Sequence, residues 1–325
     1  MSLMTVSRAL RGANGVSAAT RDRVASIAKK HNYTTNMLVR GIRTGLTWTA
    51  GVMMPANHSF YSGIIAGVHD ELARAKYAML LSSLPVDYSR PGQSADLRHL
   101  MPLIERRVDG LIFRPTDDRA TDLHLEELRR RQIPFVTVDR HLPAAHCDFV
   151  GTDDYSGGTM AARHFLELGH RRVGFLAGPD YVSTARQRRR GFVDTIEEEG
   201  GHCTTIEMLD FVDPAAAMHF LSLKPRPTAL FCVNDPMALV VLALARERGV
   251  RIPQDLSVVG FADLPEASVV TPRLSTVRQD PQAIGRRAAQ VLLRRITGGA
   301  ETGAYEMIQL APALMVRDST APVGG

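Results

Sequence analysis

From Trp48 onward, short runs rich in Val, Ile, Leu and Phe alternate with stretches of helical periodicity, and nothing else in the chain restricts its fold as much. The apolar runs lie at residues 50–54, 77–81, 110–113, 135–138, 173–176, 229–233 and 256–261. Helical patterns lie near 61–76, 93–107, 122–131, 156–168, 186–199, 214–222 and 236–248. Continuous apolar runs mark strands buried on both faces, and parallel strands joined by helices are buried in that way. The alternation therefore predicts an α/β fold of parallel sheets with helices on both faces. Seven or more strands suit two doubly wound lobes better than one.

Residues 1–47 are different. They read as all-α and strongly basic. Arg8, Arg11, Arg21, Arg23, Lys29, Lys30, Arg40 and Arg43 stand there against the single acid Asp22. Eight bases less one acid give +7, whereas the whole chain carries +5, so the remainder sums to −2. A cationic end on a near-neutral body is the footprint of a nucleic-acid headpiece on a separate regulatory domain. Met4-Thr-Val-Ser-Arg-Ala-Leu-Arg-Gly12 forms a short helix with hydroxyls and guanidiniums suited to phosphates and base edges. Ser17 is an N-cap for a second helix, in which Val24, Ile27, Ala28 and His31 follow at helical spacing, and Asn32 can close it. Asn36 can cap a third, very short helix over 37–44.

The sequence excludes several classes. No apolar run approaches the roughly 20 residues of a membrane span. No secretory signal is visible, and Cys147, Cys203 and Cys232 show no CxxC spacing. They read as reduced, mostly buried thiols of a cytoplasmic protein. No catalytic set, metal-ligand cluster or cofactor motif stands out, so the expectation is a non-enzyme without cofactors. The tail 318–325 is small and polar and is expected to fray.

Ligands of open α/β sheets sit beyond the carboxyl ends of the strands. Asn57, Arg114, Asp139, Arg140, Asp153, Asp154, Asn234, Asp235 and Asp263 follow the apolar runs, and Arg186 and Arg188 open a helix. Carboxylates, amides and guanidiniums of this kind hold polyhydroxylated ligands by paired hydrogen bonds. Phe60, Tyr61, Phe192 and Phe211 offer flat faces for a sugar ring. Ordinary readings stand beside each: a helix cap for Asn234, a local ion pair for Asp139 with Arg140, core packing for Phe192, and pairing of Arg114 with Asp117 or Asp118.

These motifs, taken in order, resemble the LacI/GalR family of bacterial transcription regulators over nearly the whole chain. The matching stretches are the helix 4–12, Val16-Ser17 to Tyr33, Val138-Asp-Arg140, Gly151-Thr-Asp153 and His164-Phe-Leu-Glu-Leu-Gly-His170. Leu176-Ala-Gly-Pro179, Asn234-Asp-Pro-Met-Ala-Leu239, Leu256-Ser-Val-Val-Gly-Phe261 and Ser275-Thr-Val-Arg-Gln279 complete them. The resemblance implies a helix-turn-helix headpiece and hinge helix at 1–47 and a periplasmic-binding-protein-like core at 48–325. The N-lobe would take about 48–152 and 279–311, and the C-lobe about 153–278 and 312–325. It implies a homodimer on pseudo-palindromic operator DNA that regulates carbohydrate genes. A small effector in the interlobe cleft (a sugar, sugar acid or sugar phosphate) would switch DNA affinity.

By motif position, Leu3, Met4 and Arg8 would read bases, and Thr5, Ser7 and Asn14 would touch the DNA backbone. Ile42 would wedge into the minor groove. Asp139, Arg188 and Asn234 would hold the effector. Phe60, Tyr61, Arg114, Phe211 and Asp263 complete the candidate effector site. Ala262 stands where the family usually has an acid, and Arg114 is unusual at its strand end; together they favour an anionic effector. The apolar stripe Ile64, Ile65, Val68 and Leu72 is either a dimer surface or the buried face of its helix. The family's first helix precedes the residues matching Ser2, so the expected natural start lies upstream of Met1, with Met1 as a valine codon read as a start or a tag residue. The alternative is a sugar- or sugar-acid-binding protein that does not bind DNA.

Overall fold

The computed structural model describes residues 1–10, 14–31, 45–84, 93–115, 123–142, 146–298 and 304–324. The side chains of Leu3 and Ser7 lie outside that description, as do Ile42, Asn36, Asp117 and Asp118. The chain divides into two compact units, Met1–Thr47 and Trp48–Gly325.

In the first unit, α1 spans Leu3–Leu10 and α2 spans Ala18–Lys30. Ser2 Oγ accepts from Thr5 N at 3.2 Å and so starts α1. Ser17 caps α2 by accepting from Thr20 N at 3.3 Å. Ala9 and Val24 are buried between the helices. Ile27 is exposed, and His31 is the C-cap. Gly15 takes a φ of 90° in the turn, a backbone region open to glycine at little cost.

The second unit holds two six-stranded sheets. The first contains β1 Thr49–Met54, β2 Ala78–Ser83, β3 Gly110–Phe113, β4 Phe135–Val138, β5 Asp148–Thr152 and β11 Met307–Leu310. Its order is β11-β5-β4-β3-β1-β2, parallel throughout. The second contains β6 Arg172–Ala177, β7 His202–Glu207, β8 Ala229–Cys232, β9 Ser257–Ala262, β10 Ser275–Arg278 and β12 Ala313–Met315. Its order is β12-β10-β9-β8-β6-β7, with only β12 antiparallel to its neighbour. The apolar runs form the central strands. The edge strands β2, β7, β11 and β12 are half-exposed, which is why β7, β11 and β12 carry no continuous apolar run.

Helices cover both faces. On the first sheet, α3 (Ser59–Arg74) and α11 (Pro281–Gly298) pack over one face, and α4 (Gln93–Glu105) and α5 (Leu123–Arg130) over the other. On the second lie α6 (Asp154–Glu167), α7 (Ser183–Glu198), α8 (Pro214–Ser222), α9 (Asp235–Glu247) and the short α10 (Pro265–Val269). Ile64, Val68 and Leu72 are fully buried in the core, so this stripe is the buried face of α3 and not a dimer surface. Phe192 is likewise core, edge-on to Phe165 and tilted against Phe175 and Phe231.

The chain crosses between the sheets three times: after Thr152, after Arg278 and between β11 and β12. The tail departs from the expectation of fraying. Ser319 is fully buried, and its Oγ donates to Val258 O at 2.6 Å and accepts from Ser275 N at 2.8 Å. His164 and His170 reach the same segment, at Thr320 Oγ1 (3.0 Å) and Ala321 O (3.0 Å). A small polar tail is retained here because buried serine, threonine and histidine groups satisfy it.

Candidate functional site

A cleft opens where the carboxyl ends of both sheets face each other at the crossings. It encloses about 460 Å³ of non-atom space, part of it open to solvent. His58, Phe60, Tyr61, Asp139 and Arg140 come from the first lobe. Thr184, Arg188, Phe211, Asn234, Pro236, Phe261, Ala262 and Leu264 come from the second, and Gln279 from a crossing segment.

Arg188 is the most constrained of these groups. Its Nε donates to Asp154 Oδ1 at 2.8 Å and its Nη1 to Val233 O at 2.8 Å. Its guanidinium lies 3.8 Å from the centre of the Phe261 ring. The approach of α6 and α7 makes the ion pair possible. A Cβ on Gly158 would collide with the Arg188 carbonyl, and one on Gly191 with the Tyr155 carbonyl. Only glycine lets the two backbones come so close. Burial pushes the Asp154 carboxyl up to about 7, against the downward pull of Arg188.

Asp139 follows β4 with a φ of 64°, a left-handed position that Asp tolerates better than most residues. Its Oδ2 accepts from Tyr61 Oη at 2.9 Å, and Tyr61 Oη accepts from Arg114 Nε at 3.1 Å. Arg140, on the same turn, is almost wholly buried and stands 5.6 Å from the Phe211 ring of the other lobe. Asn234 caps α9, its Oδ1 accepting from Met237 N at 2.8 Å, while still lining the cleft. Gln279 Nε2 donates to Thr152 Oγ1 at 2.8 Å and ties two crossings together. His58 caps α3, its Nδ1 accepting from Phe60 N, and burial lowers its pKa below the usual 6.5.

Of the residues expected from the sequence, the cleft brings together Phe60, Tyr61, Asp139, Arg188, Phe211 and Asn234. Arg114 is buried behind Tyr61 rather than on the cleft wall. Asp263 is not brought to the cleft. A φ of 58° follows 140° at Ala262, and this turn carries its carboxylate to Arg317 Nη2 at 2.6 Å. Arg140 stands among the strand-end groups noted from the sequence, whereas His58, Thr184, Pro236, Phe261, Ala262, Leu264 and Gln279 were not among the expected site residues. Their common signal was adjacency: each lies within a few residues of a strand end or helix start that the sequence already marked. In the basic unit, Met4, Arg8 and Asn14 are exposed and Thr5 is half-exposed. Among the described residues, no cluster of His, Cys, Asp or Glu could hold a metal ion, and no helix is long and apolar enough to cross a membrane.

Residues 1–36 match the lacI family of bacterial regulatory proteins, and residues 162–320 match the periplasmic binding protein-like domain. The HTH-type transcriptional repressor PurR of Haemophilus influenzae (strain PittEE) is 29% identical over 330 residues, covering 99% of this chain and 96% of that protein. The ribose operon repressor of Haemophilus influenzae (strain ATCC 51907) is 29% identical over 326 residues, covering 98% and 95%. Among solved structures, the lac repressor dimer bound to operator and the anti-inducer ONPF superposes with a TM-score of 0.84 at 26% identity, covering 99% of this chain and 96% of that one. The transcriptional regulator CelR in complex with cellobiose superposes with a TM-score of 0.74 at 28% identity, covering 98% and 96%.

Proposed function

We propose that this chain is a member of the lacI family of bacterial regulatory proteins and a sequence-specific repressor of carbohydrate or related catabolic genes, gated by a small effector in the interlobe cleft. The observation that carries this is the cleft itself: both lobes supply its walls, and Gln279, on the crossing after Arg278, lines it. A ligand touching Asp139 on one side and Arg188 and Asn234 on the other stabilises the closed arrangement of the lobes. It shifts DNA affinity by as much as its affinities for two arrangements differ, typically about 1–3 kcal/mol. The basic unit supplies the DNA contacts, with Met4 and Arg8 toward base edges and Thr5 and Asn14 toward phosphates. The protein acts as a homodimer on operator DNA in the bacterial cytoplasm, without catalysis.

A gel-shift assay tests this reading, with DNA from the neighbourhood of its own gene and a panel of sugars and sugar acids. The expected result is a sequence-specific complex whose affinity changes with one class of compound. Absence of any specific complex, with and without the panel, would turn the reading toward a pure binding protein.

A further inference from the structure

We propose that the second-lobe wall of the cleft is an anion subsite, so that the effector is a polyhydroxylated carboxylate or phosphate ester and not a neutral sugar. This rests on the repressor reading and names the ligand class of its cleft. Three groups carry it. Helix α7 starts at the cleft, and its N-cap, Val182, provides no side-chain cap bond. Three of the longer helices around the cleft are capped, by His58 on α3, Asp153 on α6 and Asn234 on α9, while the five-residue α10 also lacks a side-chain cap. Among the described residues, the N–H groups of Ser183, Thr184 and Ala185 have no acceptor. An uncapped helix start presents both these donors and the positive end of the helix dipole to an anion.

One turn along α7, four residues past Thr184, Arg188 is only 5% exposed and lines the same cavity. With Nε and Nη1 engaged, Nη2 is the guanidinium nitrogen without a protein acceptor among the described residues. Asn234 is the third group. The helix cap occupies its Oδ1, which leaves the Nδ2 amide as a donor. Backbone amides, a rigid guanidinium and an amide N–H on one wall, with the Thr184 hydroxyl among them, form a donor-rich surface, and anions satisfy such surfaces best. Acceptors sit elsewhere: the Asp139 oxygen not bonded to Tyr61 and the Gln279 oxygen suit hydroxyl groups. Asp154 pairs with Arg188 through Nε and so leaves Nη2 to the cavity, while the second nearby acid, Asp263, is turned away to Arg317. The ligand thus enters with its charge toward α7 and its hydroxyls toward Asp139 and Gln279.

Calorimetry on the full chain tests the subsite, with inorganic phosphate as the probe. D-gluconate, D-glucose 6-phosphate and neutral D-glucitol form the other arms. Phosphate is expected to bind saturably, one per chain. The better of the two charged polyols is expected to bind at least about 10-fold more tightly than D-glucitol. Which of them gains more over phosphate separates a carboxylate effector from a phosphate ester. Asn234→Asp keeps the cap on α9 but exchanges the amide donor for a like charge. It should cost at least about 10-fold in phosphate affinity while leaving the melting temperature unchanged. Absence of saturable phosphate binding, or phosphate affinity unchanged in Asn234→Asp, overturns the subsite. Operator release by a neutral sugar that binds Asn234→Asp as tightly as the native chain also overturns it, yet leaves the repressor reading intact. Failure to form any specific operator complex sinks the repressor reading alone.

Discussion

Asp154 shows how one residue outside the cleft governs a residue inside it. Its carboxylate holds Arg188, and burial raises its pKa from 3.8 to about 7. The folded state therefore keeps a proton up to about pH 7 that the unfolded chain releases near pH 4. Stability from this group is full below that lower value and falls as pH rises toward 7. His58, His164 and His170 act oppositely. Burial depresses their pKa values below 6.5, so their contribution is lost as pH falls from 6.5. The two trends overlap, and the informative quantity is the difference between native chain and Asp154→Asn. Urea denaturation from pH 4 to 8 should show that difference falling as pH rises, opposite in slope to the histidine trend, and levelling above about pH 7. Asp154→Ala, which strands a buried guanidinium, should cost about 3–5 kcal/mol at pH 8. A loss below 1 kcal/mol would mean that water reaches Arg188. The position of Asp139 and Asn234 on the cleft was legible in the sequence because both follow strand ends, whereas Arg188 lies within α7 and was singled out by its place at the helix start and by the family resemblance. Asp263 misled because its side chain follows a left-handed turn, and nothing in the residue order reveals that φ.

At the scale of elements, the alternation of apolar runs with amphipathic stretches was enough to predict both sheets, since buried parallel strands leave a continuous apolar signature. The edge strands and the C-terminal strap were not legible in the same way. Their half-exposed residues alternate or turn polar, and their place is set by partners far off in the sequence, such as Val258 and Ser275 for Ser319. Close helix packing was also hidden. Gly158 and Gly191 look like ordinary helix-weakening residues until α6 and α7 are seen in backbone contact. Gly67 and Gly285 play the same part for α3 and α11. Gly191→Ala should therefore push α7 away from Tyr155, costing about 1–3 kcal/mol, where helix propensity alone predicts a gain. The same change should loosen the Asp154–Arg188 pair and weaken phosphate binding, which calorimetry would register beside the fall in melting temperature. In the strap, His170 joins Thr228, Ser257 and Ala321. His170→Ala should speed hydrogen exchange at the Val258 and Ala321 amides first, with about 1–3 kcal/mol lost overall. Unchanged exchange there would show that the tail is held by Ser319 alone.

For the whole molecule, charge and linkage make separate demands. The +7 concentrated in residues 1–47 should make operator binding steeply salt-dependent, each neutralised phosphate adding about 0.9 to the slope of log K against log salt. If Arg8 touches only phosphate, Arg8→Ala lowers that slope by about 0.9 and weakens all sequences alike; if it reads a base, discrimination at one operator position collapses instead. The effector enters through reciprocity. A repressor whose cleft and DNA-binding unit share one equilibrium must show equal factors in both directions: whatever the effector does to operator affinity, the operator does to effector affinity. Effector titrations with and without operator, at one fixed salt, should thus shift in dissociation constant by the factor seen in gel shifts, about 5- to 150-fold for ordinary couplings. Asn234→Asp should leave operator affinity without effector unchanged while moving effector titrations to higher concentration, because it weakens the ligand in both arrangements without favouring either. A factor of unity in one direction and a large one in the other would mean that the compound acts on DNA binding at some place other than this cleft.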